Sequence, residues 1–401
     1  MSNLLRSALA VFAAFALTAC GPSPEPAFPR APYHIAEPAD AASRIARITC
    51  SIQVENGERV SLDEAMRRYH VGGVSVAAMQ GGKVIWARGF GMADVEHRRA
   101  MTPETVLQAA SVSKAVTTVG VLRMVGEGEL ALDRDIDEYG LDWHARFKGK
   151  PAKITLRQLL SHTSGLNVHG FGGYDRSTTE LPSTLDVLLG RGNSDAVTLE
   201  FAPGERSSYS GGGFTVVQAI VEREVDSPFD HAMYEWVITP FAMTHSTFEQ
   251  PIGEAHVRFA ANAYDSKGAP IRGGFRVHPE KAAAGLWTTP VDLLTLASGL
   301  ASAYHGKSRL LSKKLVKTML TRGKNTGDFG LGFVVTPEGD EVEAWHNGQN
   351  RGFTSMWIWR TDGRGVAVLV NGEGPIASGL AHAVAEEYGF RDGRPPLPQC
   401  P

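Results

Sequence analysis

Cysteine is scarce in this chain, with three residues in 401, Cys20, Cys50 and Cys400. No paired Cys-x-x-Cys occurs, which argues against a zinc ribbon. Charge of one sign is also lacking: the net charge is −3, and no cluster of Lys and Arg marks a nucleic-acid surface. The longest apolar stretch, Ala8 to Ala19, is too short to span a bilayer as a mature helix. There is no HExxH, no P-loop, no complete GxGxxG and no Gly-x-Ser-x-Gly elbow. Their absence argues against metalloprotease, nucleotide, dinucleotide and α/β-hydrolase chemistry. No metal or organic cofactor is implied.

What is present suits a globular protein. Hydrophobic residues make up 43% of the chain and glycines number 44, enough to bury a large core as two packed subdomains. Residues 1–19 form a leader, with Arg6 ending a short n-region. The run Leu17-Thr18-Ala19-Cys20 resembles a bacterial lipobox, in which cleavage before Cys20 lets its thiol carry lipid. The alternative is an ordinary secretory signal with an incidental cysteine. Gly21 at the next position favours, by resemblance to sorting rules, the periplasmic face of a Gram-negative outer membrane. Residues 20–45 read as a tether, because Pro22, Pro24, Pro26, Pro29, Pro32 and Pro38 favour extended conformations over a packed core. In an oxidising compartment Cys50 and Cys400 could pair, or both could remain thiols.

Ser61 to Tyr69 reads as a capped amphipathic helix, with Glu64 in the capping-box position. Val74 to Gln80 and Val84 to Phe90 flank a Gly81-Gly82 turn as two strands. A helix follows, carrying Val112, Ala115, Val116, Val119 and Leu122 on helical spacing until Gly126 and Gly128. Helical pieces separated by Gly-rich loops fill the middle. Strand signals return at 329–335, 343–346, 354–359 and 365–370, and a last helix covers 376–388. This order predicts an α/β (α+β) domain from 46–129 and 285–401, with a mainly helical domain, 130–284, inserted. A cleft between them is the natural ligand site.

Ser111-Val112-Ser113-Lys114 puts a hydroxyl and an amine one helical turn apart, so that Lys114 can take the Ser111 proton. The helix N-terminus at Ser111 favours developing negative charge. Tyr209 lies on a loop entering the helix near Phe214, where its phenol could shuttle a proton or merely anchor the loop. His346-Asn347-Gly348 ends a strand, and Gly348 allows close approach to a ligand. His162 and His169 flank a glycine-bearing loop and read as structural, since no ligand cluster accompanies them.

Together these motifs resemble those of serine β-lactamases and penicillin-binding-protein-like hydrolases, in the branch of class C β-lactamases, DD-peptidases and esterases. Ser111-x-x-Lys114, then Tyr209-Ser210-Gly211 in place of Tyr-x-Asn, then His346-Asn347-Gly348 in place of Lys-Thr-Gly occur in the family's order. Leu159 to Leu166 (LLSHTSGL) and Ala284 to Leu293 (AGLWTTPVDL) match further family runs. The resemblance implies a β-lactamase/transpeptidase-like fold, an antiparallel sheet flanked by helices with an inserted all-α domain. It implies that Ser111 is acylated, that Lys114 is the general base and that Tyr209 passes the proton. It also implies an oxyanion site formed by the N–H groups of Ser111 and Gln349. Gly211 stands where β-lactamases carry the asparagine that holds an acylamide side chain, so efficient lactamase activity is not expected. His346 in place of lysine predicts carboxylate binding that strengthens as pH falls, and Arg351 is either a permanent cation for that carboxylate or an exposed loop residue.

The expectation is therefore an acyl-enzyme serine hydrolase acting on an ester or a small D-amino-acid amide or peptide, held at a membrane through lipid on Cys20. The alternatives are a lipid-anchored, non-hydrolytic binding module and a genuine class C-like β-lactamase.

Overall fold

The computed structural model describes residues 32–390. Cys20, Cys400 and the leader lie outside the described residues, and with them the expected lipid attachment. Cys50 is disulfide-bonded.

In chain order, the elements that build the site are α1 (Ala41–Cys50), α2 (Leu62–Arg68), β1 (Gly73–Gln80), β2 (Lys83–Asp94), β3 (Arg99–Ala100), β4 (Leu107–Gln108), α3 (Val112–Glu127) and α4 (Leu156–Leu160). They continue with α5 (Gly211–Val225), α6 (Lys281–Ala284), β5 (Trp287–Thr288), α7 (Pro290–Tyr304), β6 (Val334–Glu338), β7 (Glu341–Asn350), β8 (Phe353–Arg360), β9 (Gly365–Val370) and α8 (Ile376–Glu387). A seven-stranded antiparallel sheet runs in the order β6-β7-β8-β9-β1-β2-β3, so strands from the two parts of the chain meet where β9 pairs with β1.

Alternation along the strands gives the sheet two apolar faces. Val74, Val76 and Ala78 of β1, with Val366, Val368 and Val370 of β9, pack toward α8 residues such as Leu380 and Val384. Ala77 and Met79, with Ala367 and Leu369, join the larger core around α3 and α7. Helix α3 is buried almost all round, as expected for a helix apolar on every face.

Three expectations need correction. The strand expected at 329–335 begins only at Val334, because residues 329–333 form bends closed by a single bridge between Phe329 and Val334. β7 does not end at His346-Asn347-Gly348 but runs on to Asn350, paired throughout with β8. The tether expected over 20–45 is docked well before its end. Tyr33 is half-buried, its hydroxyl donates to Asp292 Oδ1 at 2.8 Å, and Arg88 makes a two-pronged ion pair with Glu37. Helix α1 then starts at Ala41.

Candidate active site

Short pairing between β4 and β5, Leu107 with Thr288 and Gln108 with Trp287, fixes the chain three residues before Ser111. Thr289 then caps α7, and the buried Asp292 accepts from Tyr33, Ser246 and the His245 N–H. The AGLWTTPVDL run is thus the brace behind Ser111. Between this brace and Ser111, Ala110 adopts φ +49°, a left-handed conformation that an alanine reaches at a cost of about 1 kcal/mol or more. Val112 N–H and Ser113 N–H close the turn onto the carbonyls of Ala109 and Ala110. Ser111 is the N-cap residue of α3, and its N–H has no acceptor among the described residues.

Lys114, only 1% exposed, places Nζ 3.1 Å from Ser111 Oγ and donates to the Ala283 carbonyl of α6 at 2.8 Å. Burial without a compensating anion pushes the amine down to about 7. At neutral pH much of Lys114 therefore carries a free lone pair beside the hydroxyl. The Tyr209 ring lies 5.0 Å from Nζ. Its hydroxyl is buried with no complete hydrogen bond, and desolvation raises the phenol well above its ordinary value, offset only in part by the nearby Ser111 hydroxyl. Tyr209 is consequently a neutral proton donor and acceptor.

Tyr209 is positioned from both sides. Ser210 caps α5, its Oγ accepting from the Gly213 N–H and donating to the Asn167 carbonyl. His162 stacks on the Tyr209 ring with centroids 4.4 Å apart, and its Nδ1 accepts the Ser210 N–H at 3.1 Å. That acceptor role fixes the neutral imidazole, and burial holds its pKa well below the ordinary range. His162 thus sits against the site rather than remote from it.

The third motif approaches Ser111 from the sheet. β6 ends its pairing at Trp345, so β7 continues past it from His346 to Asn350. Gly348 is required there: a Cβ would lie 2.3 Å from the Ala109 carbonyl, 2.5 Å from Ser355 Oγ and 2.9 Å from Ser111 N. Asn350, buried, holds this stretch by donating to Gln108 Oε1 at 2.7 Å and to the Ala284 carbonyl at 3.1 Å. Asn347 and Gln349, one on each side of Gly348, are exposed.

His346 departs from expectation. It is buried, its Nδ1–H donates to the Asn347 carbonyl at 2.6 Å, and Nε2 has no partner among the described residues. Burial first, and Lys114 second, pull its pKa down to about 3. It is therefore a neutral group near neutral pH, and the expected gain of cationic charge as pH falls through 7 does not arise. Arg351 is exposed in the turn after β7, and it adds the smallest part to the lowering of the Asp265 carboxyl, which the Ala269 and Lys267 N–H groups mainly cause. No contact joins it to Ser111, Lys114 or Tyr209 among the described residues.

The family model described as Beta-lactamase matches residues 61–388. The chain belongs to the Beta-lactamase family. Within it, the chain is 34% identical over 248 residues to Esterase EstB of Burkholderia gladioli, covering 58% of each chain. It spans about half the length of the curated relatives it matches. Among solved structures, FmtA of Staphylococcus aureus superposes with a TM-score of 0.68 at 17% identity, covering 92% of this chain and 95% of that one. D-alanine carboxypeptidase AmpC of Burkholderia cenocepacia gives 0.66 at 19% identity, over 88% and 100%. At these identities the likeness establishes the β-lactamase/transpeptidase-like fold. Groups of metal-ligating side chains are absent among the described residues, and no described helix is long and apolar enough to cross a membrane.

Sequence reading missed the Ala283 carbonyl, which aims Lys114, and Asn350, which anchors the third motif. Both lie one or two residues from runs already singled out, but a backbone acceptor leaves no residue-type signal.

Proposed function

We propose that this protein is an acyl-enzyme serine hydrolase acting on an ester or a small D-amino-acid amide. The observation that carries the reading is the water-excluded Lys114 amine beside Ser111. Ser111 Oγ attacks the carbonyl carbon as its proton moves to Lys114 Nζ, and the carbonyl oxygen becomes the oxyanion. The Ser111 N–H faces that charge, with the Gln349 N–H as second donor by resemblance to the family. Tyr209 relays the proton from the Lys114 ammonium to the departing alkoxide or amine. Water then attacks the acyl-Ser111 ester, returning its proton through the same groups. The 34% identity to an esterase supports an ester as substrate.

Lipid on Cys20 and a disulfide between Cys50 and Cys400 complete the proposal, placing the domain at the periplasmic face of an outer membrane. Cys20→Ser is expected to move the protein from the membrane to the soluble fraction; unchanged fractionation removes the anchor.

Steady-state turnover of p-nitrophenyl acetate tests the hydrolase reading. Many product equivalents per enzyme, lost in Ser111→Ala, support it. One equivalent and no more from a folded protein makes it a binding module.

A further inference from the structure

We infer that Gln218 is a positioning residue: from α5 it caps the one-turn helix α6 and so holds the Lys114 amine against Ser111. This rests on the acyl-enzyme reading and adds a residue to the same site.

A helix of four residues has no stability of its own, so α6 stands only where its ends are held. Its C-terminal end faces the site. The carbonyls of three consecutive residues accept from three side chains: Ala282 from Thr117 Oγ1 at 3.2 Å, Ala283 from Lys114 Nζ at 2.8 Å and Ala284 from Asn350 Nδ2 at 3.1 Å. The orientation of α6 thus sets where Nζ sits, and a tilt of the helix carries the amine away from Ser111 Oγ, 3.1 Å distant.

The N-terminal end is held from another helix. Glu280, the N-cap residue of α6, makes no side-chain cap, and the Ala282 N–H donates instead to Gln218 Oε1 at 3.1 Å. Gln218 Nε2 donates back to the Pro279 carbonyl, also at 3.1 Å. Because that N–H can only donate and that carbonyl only accept, the amide has a single orientation. Nε2 is steadied further by Thr184 Oγ1 at 3.0 Å and Glu222 Oε1 at 3.1 Å, and Gln218 is 2% exposed. The helix that bears Gln218 is the one Ser210 caps directly after Tyr209. One amide therefore ties the element behind Tyr209 to the carbonyl that holds Lys114.

The test is the rate at which a small fluorophosphonate labels Ser111 in the parent, Gln218→Met, Lys114→Ala and the double variant, each checked for a cooperative melt. Methionine keeps the length of the side chain and removes both clamp bonds. Gln218→Met should slow labelling at least about tenfold, since a small misplacement of a reacting group costs rate of that order. In the Lys114→Ala background the same change should cost less than about twofold, because no amine is left to aim. A residue that only supports the fold slows both backgrounds by one factor. Equal factors overturn the assignment, as does a folded Gln218→Met that labels as fast as the parent. Gln218→Asn, a methylene short of both groups, goes through the same cycle with the same expectation and decides the matter if the methionine variant does not fold. A parent labelled at Ser111 and slowed by Lys114→Ala but not by Gln218→Met loses only the role of Gln218. A folded parent that takes no label loses the acyl-enzyme reading and this assignment with it.

Discussion

Lys114 Nζ and Ser111 Oγ face each other across 3.1 Å at the first turn of α3, with the amine sealed from water. That burial, not a neighbouring cation, brings the lysine down to about 7. The ammonium cannot accept a proton, so hydrolysis requires the neutral form. Ester kcat/KM should climb about tenfold per pH unit below 7 and level off above it. His346, held near 3, and His162, held well below its ordinary value, stay neutral throughout and add no descending limb. A rate that falls as pH rises through 7 contradicts this assignment.

Removing either proton carrier should be costly. Lys114→Ala and Tyr209→Phe are each expected to lower kcat/KM by about 10²- to 10⁴-fold, the usual contribution of positioned acid–base groups. Single-turnover acylation of Ser111 should slow in parallel. Parent-like acylation in both variants means that the proton leaves Ser111 by another route.

Gly348→Ala tests the approach of the sheet to Ser111. The added methyl meets backbone and a held hydroxyl, the Ala109 carbonyl at 2.3 Å and Ser355 Oγ at 2.5 Å, so β7 must retreat from Ser111. A loss of at least about 10²-fold in kcat, the effect of one oxyanion donor, is expected with the far-ultraviolet circular dichroism retained. Parent-like kcat would show that this stretch does not contribute.

Glu280 lies 1% exposed with neither carboxylate oxygen partnered among the described residues, and burial raises its pKa to about 7. A carboxyl raised on folding binds its proton more tightly in the native state. Stability is therefore highest below about 4.5 and declines as pH rises toward 7, by about 3 kcal/mol if the whole shift is expressed. Glu280→Gln should flatten the fall in Tm between pH 5 and pH 7. Asp292, raised to about 6 by burial, leaves a residual slope of the same sign. An identical pH slope in parent and variant refutes the titration of Glu280.

Motifs written in side-chain identity were legible in the sequence. The period of α3 and the spacing of Ser111 and Lys114 placed hydroxyl and amine on one face, and the apolar runs of β1, β2 and β9 marked them as strands. Features set by tertiary burial were not. His346 has the composition of a pH switch and becomes a neutral group only because the fold encloses it. The continuation of β7 through Gly348 depends on pairing with β8, which no local propensity announces. The docking of Tyr33 ran against a proline-rich composition, since one half-buried aromatic ring beside His245 and its hydroxyl on Asp292 fasten an otherwise extended segment.

The central claim is that Ser111 is an activated nucleophile. Intact mass of the soluble form beginning at Gly21, with and without a fluorophosphonate, beside Ser111→Ala, measures it directly. The account predicts one adduct on the parent and none on the variant, with labelling that accelerates as pH rises through 7. A folded parent that takes up no adduct from either a bulky or a small probe would contradict it.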